Sequence, residues 1–311
     1  MTIYVAIPCI EDQELEYTIS DILNNSDYPE EITIGVACMT SMEFYLDIVE
    51  KFKDNSNVII KYYEWSLNKG VGKGRKNAFS SYTDQDYILQ IDSHTLLKKG
   101  WDTWMVQLHK ESVEETKTNK TILTSYLPAY TNDGVSRYLE HDNLSYPAFY
   151  NEKLPQYNFP GWFETQLRHF PKDKQRTEKF LPSVKFNAHF AFGNKEFSLY
   201  NGLEDFLFYE EEIIQSINLI DKGFALVFPN VKAMLGHMYA DSQTTVTKRK
   251  NMIDYSREKT SDYINEINEN YFSFINNPLN KEKCDKYQKY ANMHLKSGPR
   301  KLYYIPERYF P

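Results

Sequence analysis

From its first residues the chain alternates short apolar runs with amphipathic stretches. The segment TIYVAIP at 2–8 interleaves β-branched and aromatic residues and stops at Pro8, which predicts a strand running into a loop. ELEYTISDILN at 14–24 places Leu15, Ile19, Ile22 and Leu23 at helical spacing. After the break at DYPEE come a second strand, ITIGVAC at 32–38, a helix, SMEFYLDIVEKFKD at 41–54, and a third strand, VIIKYYEW at 58–65. NKGVGKGRKNAFSSY at 68–82 begins glycine-rich and ends helical, and DYILQIDSHT at 86–95 supplies a fourth strand. Strands and helices alternating in this way within ~100 residues predict the α/β class and a doubly wound parallel sheet. Ligands of such sheets gather outside the carboxyl ends of the strands.

Past Trp101 the pattern loosens. A helix is expected over 102–118 and a strand over 121–127, followed by an irregular stretch, 130–165, rich in Pro, Asn and Tyr. That stretch reads as a surface insertion or lid, the kind of loop that carries ligand contacts. Regular patterning returns in VKFNAHFAFGNKEF at 184–197, in a helix with an acidic start, YEEEIIQSINLIDKG at 209–223, and in the strand FALVFP at 224–229. The remainder is helical and polar in pattern. These boundaries suggest a single catalytic-sized unit over 1–240 and a helical, mildly basic extension over 241–311.

Composition narrows the class more than the function. With 41% hydrophobic and 25% charged residues and a net charge of -7, the chain is an ordinary globular protein rather than a collagenous or disordered one. Charge is uneven: residues 241–311 hold 13 Lys and Arg against 9 Asp and Glu, leaving the rest more acidic than the whole. A basic tail suits phosphates or an acidic partner, and equally a solvated helix face. The 25 tyrosines permit grooves that stack on sugars or bases, without requiring them. The three cysteines, Cys9, Cys38 and Cys284, form neither a disulfide framework nor a zinc spacing. The start MTIYVAIPCI has no basic n-region, and no run approaches the ~18 apolar residues of a bilayer span, so a cytoplasmic protein without a membrane partner is expected.

Four groups of residues carry candidate chemistry. Asp92-Ser93-His94 closes the apolar strand YILQI, and the one-residue spacer puts two hard or borderline ligands on the same side of the chain at the sheet's ligand edge. Such a pair can grip Mn²⁺ or Mg²⁺, which would bridge protein and a nucleotide diphosphate and stabilise a departing phosphate as a Lewis acid. His237, in PNVKAMLGHMY after the strand FALVFP, is available as a third ligand or is a structural histidine. In Lys69-Gly70-Val71-Gly72-Lys73-Gly74-Arg75 the glycines let backbone amides approach phosphates and Lys73 and Arg75 offer charge, while a plain helix-capping turn is the alternative. Glu210-Glu211-Glu212 opens a helix, where the dipole alone favours acids; one carboxylate reaching a sugar or a hydroxyl is the functional reading.

Together these segments form a family pattern. GKGRKNAFSSYTDQDYILQIDSHTLLKKGWD resembles the core of the GlcNAc-transferase family typified by enzymes that modify hydroxyproline on a cytoplasmic Skp1-type protein. AIPCIEDQELEYTISDIL is similar to that family's opening, and VKFNAHFAFG, FYEEEIIQSINLIDKGFALVFPN and GHMY resemble its later blocks in the same order, over roughly residues 2–240. An Asp-Ser-His triplet with a distal histidine is also shared with polypeptide GalNAc-transferases.

The resemblance implies a GT-A glycosyltransferase that moves a hexose or N-acetylhexosamine from a UDP-sugar donor to a hydroxyl acceptor on a protein, with retention. It implies Mn²⁺ (or Mg²⁺) on Asp92, His94 and His237, with Asp92 alternatively on the donor ribose. Arg75 would meet the donor diphosphate or sugar, and Pro8, Gly70 and Gly72 would line the same pocket. Glu211 or Glu212 would be the catalytic carboxylate on the acceptor side. Family members commonly carry a Gly before the paired glutamates, whereas Tyr209 and Glu210 stand here, so the register within the run stays open. Two other readings are compatible with the chain: a phage-type transferase acting on hydroxymethylated pyrimidines in DNA, and a non-catalytic nucleotide-sugar-binding module.

Overall fold

The structure, a computed structural model, describes residues 1–64, 70–153, 160–165, 167–200, 210–239, 260–299 and 304–309. Lys69, Tyr209 and most of the start of the basic tail, 240–259, lie outside these residues.

The chain opens with β1 (Ile3–Cys9), α1 (Leu15–Asn24), β2 (Ile32–Thr40), α2 (Met42–Phe52) and β3 (Val58–Glu64). There follow α3 (Val71–Ala78), β4 (Tyr87–Ile91), the short β5 (Thr95–Leu97), α4 (Trp101–Thr116) and β6 (Thr121–Thr124). Next come β7 (Tyr130–Asn132), β8 (Arg137–Leu139), β9 (Tyr146–Lys153), β10 (Pro160–Thr165), β11 (Phe180–Pro182) and β12 (Phe190–Asn194). The last elements used below are α5 (Glu210–Asp221), β13 (Ala225–Pro229), β14 (Leu235–His237), α6 (Thr260–Asn276) and α7 (Lys281–Tyr290).

Eight strands form the main sheet in the order β11-β13-β6-β12-β4-β1-β2-β3. Pairs β1–β2, β2–β3, β1–β4 and β6–β13 are parallel, as the alternating pattern predicts. The sheet is not wholly parallel: β12 runs antiparallel between β4 and β6, and β11 antiparallel beside β13. Strand β1 is buried throughout because helices cover both faces. Ile3, Val5 and Ile7 point into one core cluster, and Tyr4 and Ala6 into the other. The chain passes from β3 across β1 to β4, so the sheet's topological switch lies at the carboxyl ends of β1 and β4.

Two sequence expectations need correction. The glycine-rich segment is not a loop ahead of a helix: α3 already starts at Val71, after Gly70 at φ 93°. Tertiary packing overrides the poor helix propensity of glycine here. A Cβ on Gly74 would stand 2.3 Å from the Met39 Cε and 3.3 Å from the Pro8 Cβ, so the missing side chain lets α3 lie close on β1 and β2. The strand YILQI is β4, which stops at Ile91, and the following β5 leaves the main sheet to pair with β14. The stretch 130–165 is not irregular but holds two antiparallel hairpins, β7–β8 and β9–β10. The first is closed by Asp133 and by Gly134 at φ 84°, and its base is no surface loop, because Tyr130 is fully buried.

Helices α6 and α7 lie on the same side as α5. Tyr271 and Tyr287 are fully buried in one cluster with Ile213, Ile217 and Tyr4, and their hydroxyls donate to the carbonyls of Leu295 (2.8 Å) and Val184 (2.9 Å). A buried tyrosine needs such a partner for its hydroxyl. Among the described residues no helix is long and apolar enough to cross a membrane.

Candidate active site

The polar groups converge at the switch point. Asp92 leaves the sheet directly after β4, and His94 stands two residues on, just before β5. His237 is brought there by β14, which pairs antiparallel with β5 in the register Leu235↔Leu97, Gly236↔Leu96 and His237↔Thr95. Gly236 permits this approach: a Cβ there would fall 2.2 Å from the Leu139 Cδ2 and 3.3 Å from the Pro128 carbonyl. The ribbon is tied on both sides, the Met238 amide donating to the His94 carbonyl (3.1 Å) and the His237 amide to the Pro128 carbonyl (2.9 Å).

Three donor atoms therefore face one point. His94 Nε2 and His237 Nε2 are 3.0 Å apart, His237 Nε2 is 3.2 Å from Asp92 Oδ2, and His94 Nε2 is 3.8 Å from the same oxygen. Ligands bonded at about 2.1 Å and set at right angles around one octahedral cation stand about 3.0 Å from each other; two of the three separations are close to this, and the His94–Asp92 separation of 3.8 Å is wider. Two imidazoles and a carboxylate are also a donor set that divalent transition cations accept. The same three residues form the one candidate metal group among the described residues.

Charged neighbours surround the triplet. Arg75, projecting from α3, is buried and reaches two carboxylates: its Nη2 donates to Asp92 Oδ1 at 3.2 Å and its Nη1 to Glu211 Oε2. Burial pushes the Asp92 carboxyl up, but the His237 contact and the Arg75 guanidinium reverse this and hold it well below the usual carboxylate range. Glu212, one residue further on α5, pairs with the buried Lys185 and accepts from the Ala188 amide at 2.9 Å. Its carboxyl too is raised by burial and brought below its ordinary value by Lys185. The His189 ring lies 4.7 Å from that of His237, centroid to centroid, and burial together with His237 pushes its pKa down to about 3, so it is a neutral imidazole at pH 7.

The structure thus gathers Arg75, Asp92, His94, His237 and Glu211 within one contact network, and sets Glu212 beside it through Lys185 and His189. Gly70 and Gly72 lie at the start of the helix that carries Arg75, and Pro8 lies beneath that helix at the end of β1. Glu211 faces Arg75 with 2% of its surface exposed, whereas Glu212 keeps more of its side chain accessible. Sequence reasoning missed Asp12, whose Oδ2 lies 2.5 Å from His94 Nδ1, and Lys185. Asp12 had a usable signal, an acid just beyond the first parallel strand at the same sheet edge. Lys185 had none, since a lysine in VKFNAHF carries no local mark of burial.

Residues 38–306, more than half of the chain, match the family model described as "Glycosyltransferase (GlcNAc)". No curated protein matches the chain. Among solved structures, that of GalNAc-T7 with UDP, GalNAc and Mn²⁺ matches with a TM-score of 0.55 at 13% identity, over 95% of this chain and 55% of that one. The chain thus spans about half the length of GalNAc-T7, and the likeness shows the fold, a mixed α/β sheet of the GT-A type. S. aureus TarS 1-349 is similar at a TM-score of 0.44 and 15% identity, over 89% of this chain and 74% of that one. Its complex with UDP gives 0.46 and 14%, over 92% and 75%.

Proposed function

The chain belongs to the glycosyltransferase (GlcNAc) family, and from that premise we propose that it is an enzyme that transfers a hexose or N-acetylhexosamine from a UDP-sugar to a hydroxyl on a protein, with retention and with a divalent cation on Asp92, His94 and His237. The observation that carries the reading is the convergence of three donor atoms, 3.0 to 3.8 Å apart, at the switch point where α/β sheets bind their ligands. UDP and Mn²⁺ in the similarly folded GalNAc-T7 support the choice of donor and metal. Retention is supported by the Asp-Ser-His triplet with a distal histidine that this chain has in common with the polypeptide GalNAc-transferases.

When bound, the cation supplies Lewis-acid stabilisation to the diphosphate that leaves the sugar. The protein's own groups prepare the place for it. Arg75 fixes the Asp92 carboxylate in its ionised form and aims it at the two imidazoles. Glu211 holds the other end of the guanidinium, so one side chain ties α3 to α5 and to the end of β4. Glu212, ionised beside Lys185, is placed to polarise and position the incoming hydroxyl rather than to remove its proton outright. Positioning suffices in a front-face displacement, where the leaving phosphate oxygen takes the acceptor proton.

The test is release of UDP from UDP-GlcNAc and UDP-glucose by protein stripped with EDTA and then resupplied with Mn²⁺. Activity that appears with Mn²⁺ and vanishes without it is expected. A rate indifferent to EDTA would remove the metal from this reading, and failure to turn over any UDP-sugar with any hydroxyl acceptor would remove the donor assignment.

A further inference from the structure

Asp12 stands behind His94, on the far side from the metal-facing nitrogen. Its Oδ2 lies 2.5 Å from His94 Nδ1 and accepts from Ser93 Oγ at 2.8 Å, while Oδ1 accepts from the Glu14 amide at 3.0 Å. With 5% of its surface exposed, Asp12 is no solvated acid in a turn.

The support continues outward. Glu14 is held by the first hairpin, its Oε2 accepting from the Tyr130 hydroxyl and its Oε1 from the Asn132 side-chain Nδ2, both at 2.8 Å. Thr18 Oγ1, on α1, donates to the Ser93 carbonyl at 2.8 Å. The loop after β1 is thus held to the first hairpin through Glu14, and α1 to the Asp92–Thr95 turn through Thr18.

We infer that Asp12 is a positioning residue: by accepting the Nδ1 proton of His94 it fixes the tautomer and ring orientation that leave the Nε2 lone pair aimed at the cation. This rests on the reading of Asp92, His94 and His237 as metal ligands. The physical reason is simple. The 2.5 Å contact engages Nδ1, so Nε2 is the ring nitrogen turned toward His237 and Asp92, and the carboxylate holds the imidazole in that orientation. A neutral imidazole left to water favours the proton on Nε2, the atom the metal needs bare. Second-shell carboxylates of this kind set ligand orientation and basicity, and their loss typically weakens metal binding by about 10–100-fold.

Two measurements test this. In the metal-free wild-type protein, ¹⁵N imidazole shifts assigned to His94 by comparison with His94→Gln should show a protonated Nδ1 and a bare Nε2. Mn²⁺ titration calorimetry should give an affinity about 10–100-fold weaker for Asp12→Ala, with a smaller loss for Asp12→Asn, whose carboxamide oxygen can still accept from Nδ1. Circular dichroism melting establishes that the variants are folded, and the wild-type tautomer can be read even if Asp12→Ala is not. A His94 proton on Nε2 in the wild type, or a folded Asp12→Ala that binds Mn²⁺ as the wild type does, overturns the inference. Wild-type protein that binds no divalent cation overturns the metal reading itself, and the inference with it, which is a different result from an unaffected Asp12 variant.

Discussion

Two aspartates on either side of β5 show how differently the fold can use the same side chain. Asp102, in the first turn of α4, is fully buried, and donors meet both of its oxygens: Ser26 Oγ at 2.6 Å, the Asp27 amide at 2.9 and 3.0 Å, and the Tyr28 amide at 3.0 Å. Asp92, ten residues earlier, keeps a fifth of its side chain exposed, and its Oδ2 looks onto imidazole nitrogens that also face each other. Every partner of Asp102 brings its own proton, so that set is complete. The two Nε2 atoms that face Asp92 Oδ2 and each other can offer lone pairs, and one cation can accept from all three ligand atoms at once. A lowered pKa is common to both residues, so it does not by itself mark a site; the chemistry of the facing atoms does.

The sharpest way to break the comparison is to remove each carboxylate in turn. Asp102→Ala should cost about 3–5 kcal/mol in urea unfolding, because it strands a hydroxyl and two backbone amides in the interior, while the protein that remains folded binds Mn²⁺ normally. Its pH dependence sharpens the point. Burial raises the Asp102 carboxyl, but Ser26 and the amides of Asp27 and Tyr28 outweigh this, so the folded-state value lies below the unfolded one. The stability it contributes is therefore present above about pH 4 and is lost as the pH falls through the lowered folded-state value, a loss absent in Asp102→Asn. Asp92→Ala should do the reverse, with a melting temperature near that of the wild type and Mn²⁺-dependent UDP binding at least ~100-fold weaker by calorimetry, about 2.7 kcal/mol. If both variants lose stability and metal affinity alike, the distinction drawn between them fails. The smallest effect is expected from Glu212→Gln, which should leave metal and UDP affinity unchanged and lower the transfer rate about tenfold, about 1.4 kcal/mol. An equal fall in donor affinity would place Glu212 on the donor side.

Much of this was legible along the chain. The first three strands and their helices lie within a residue or two of where the apolar spacing put them, because alternation and helical periodicity are local responses to burial. The triplet Asp92-Ser93-His94 was legible for the same reason, as the end of an apolar strand. The antiparallel β12 was not, since the direction of a strand within a sheet leaves no trace in its own side-chain pattern. The hairpins of 130–165 were hidden by the Pro, Asn and Tyr content that suggested a loop.

What the amino-acid order determined by itself is a set of elements, their sequence, and one aspartate–histidine pair at a strand end. Tertiary structure alone decided that His237 would meet that pair, that Arg75 would bridge Asp92 to Glu211, and that Asp12 would stand behind His94. Those contacts join residues 17 to 145 positions apart. They depend on strand pairing, on a glycine that lets two backbones close, and on the shared burial of opposite charges, and periodicity within one segment carries no information about any of these.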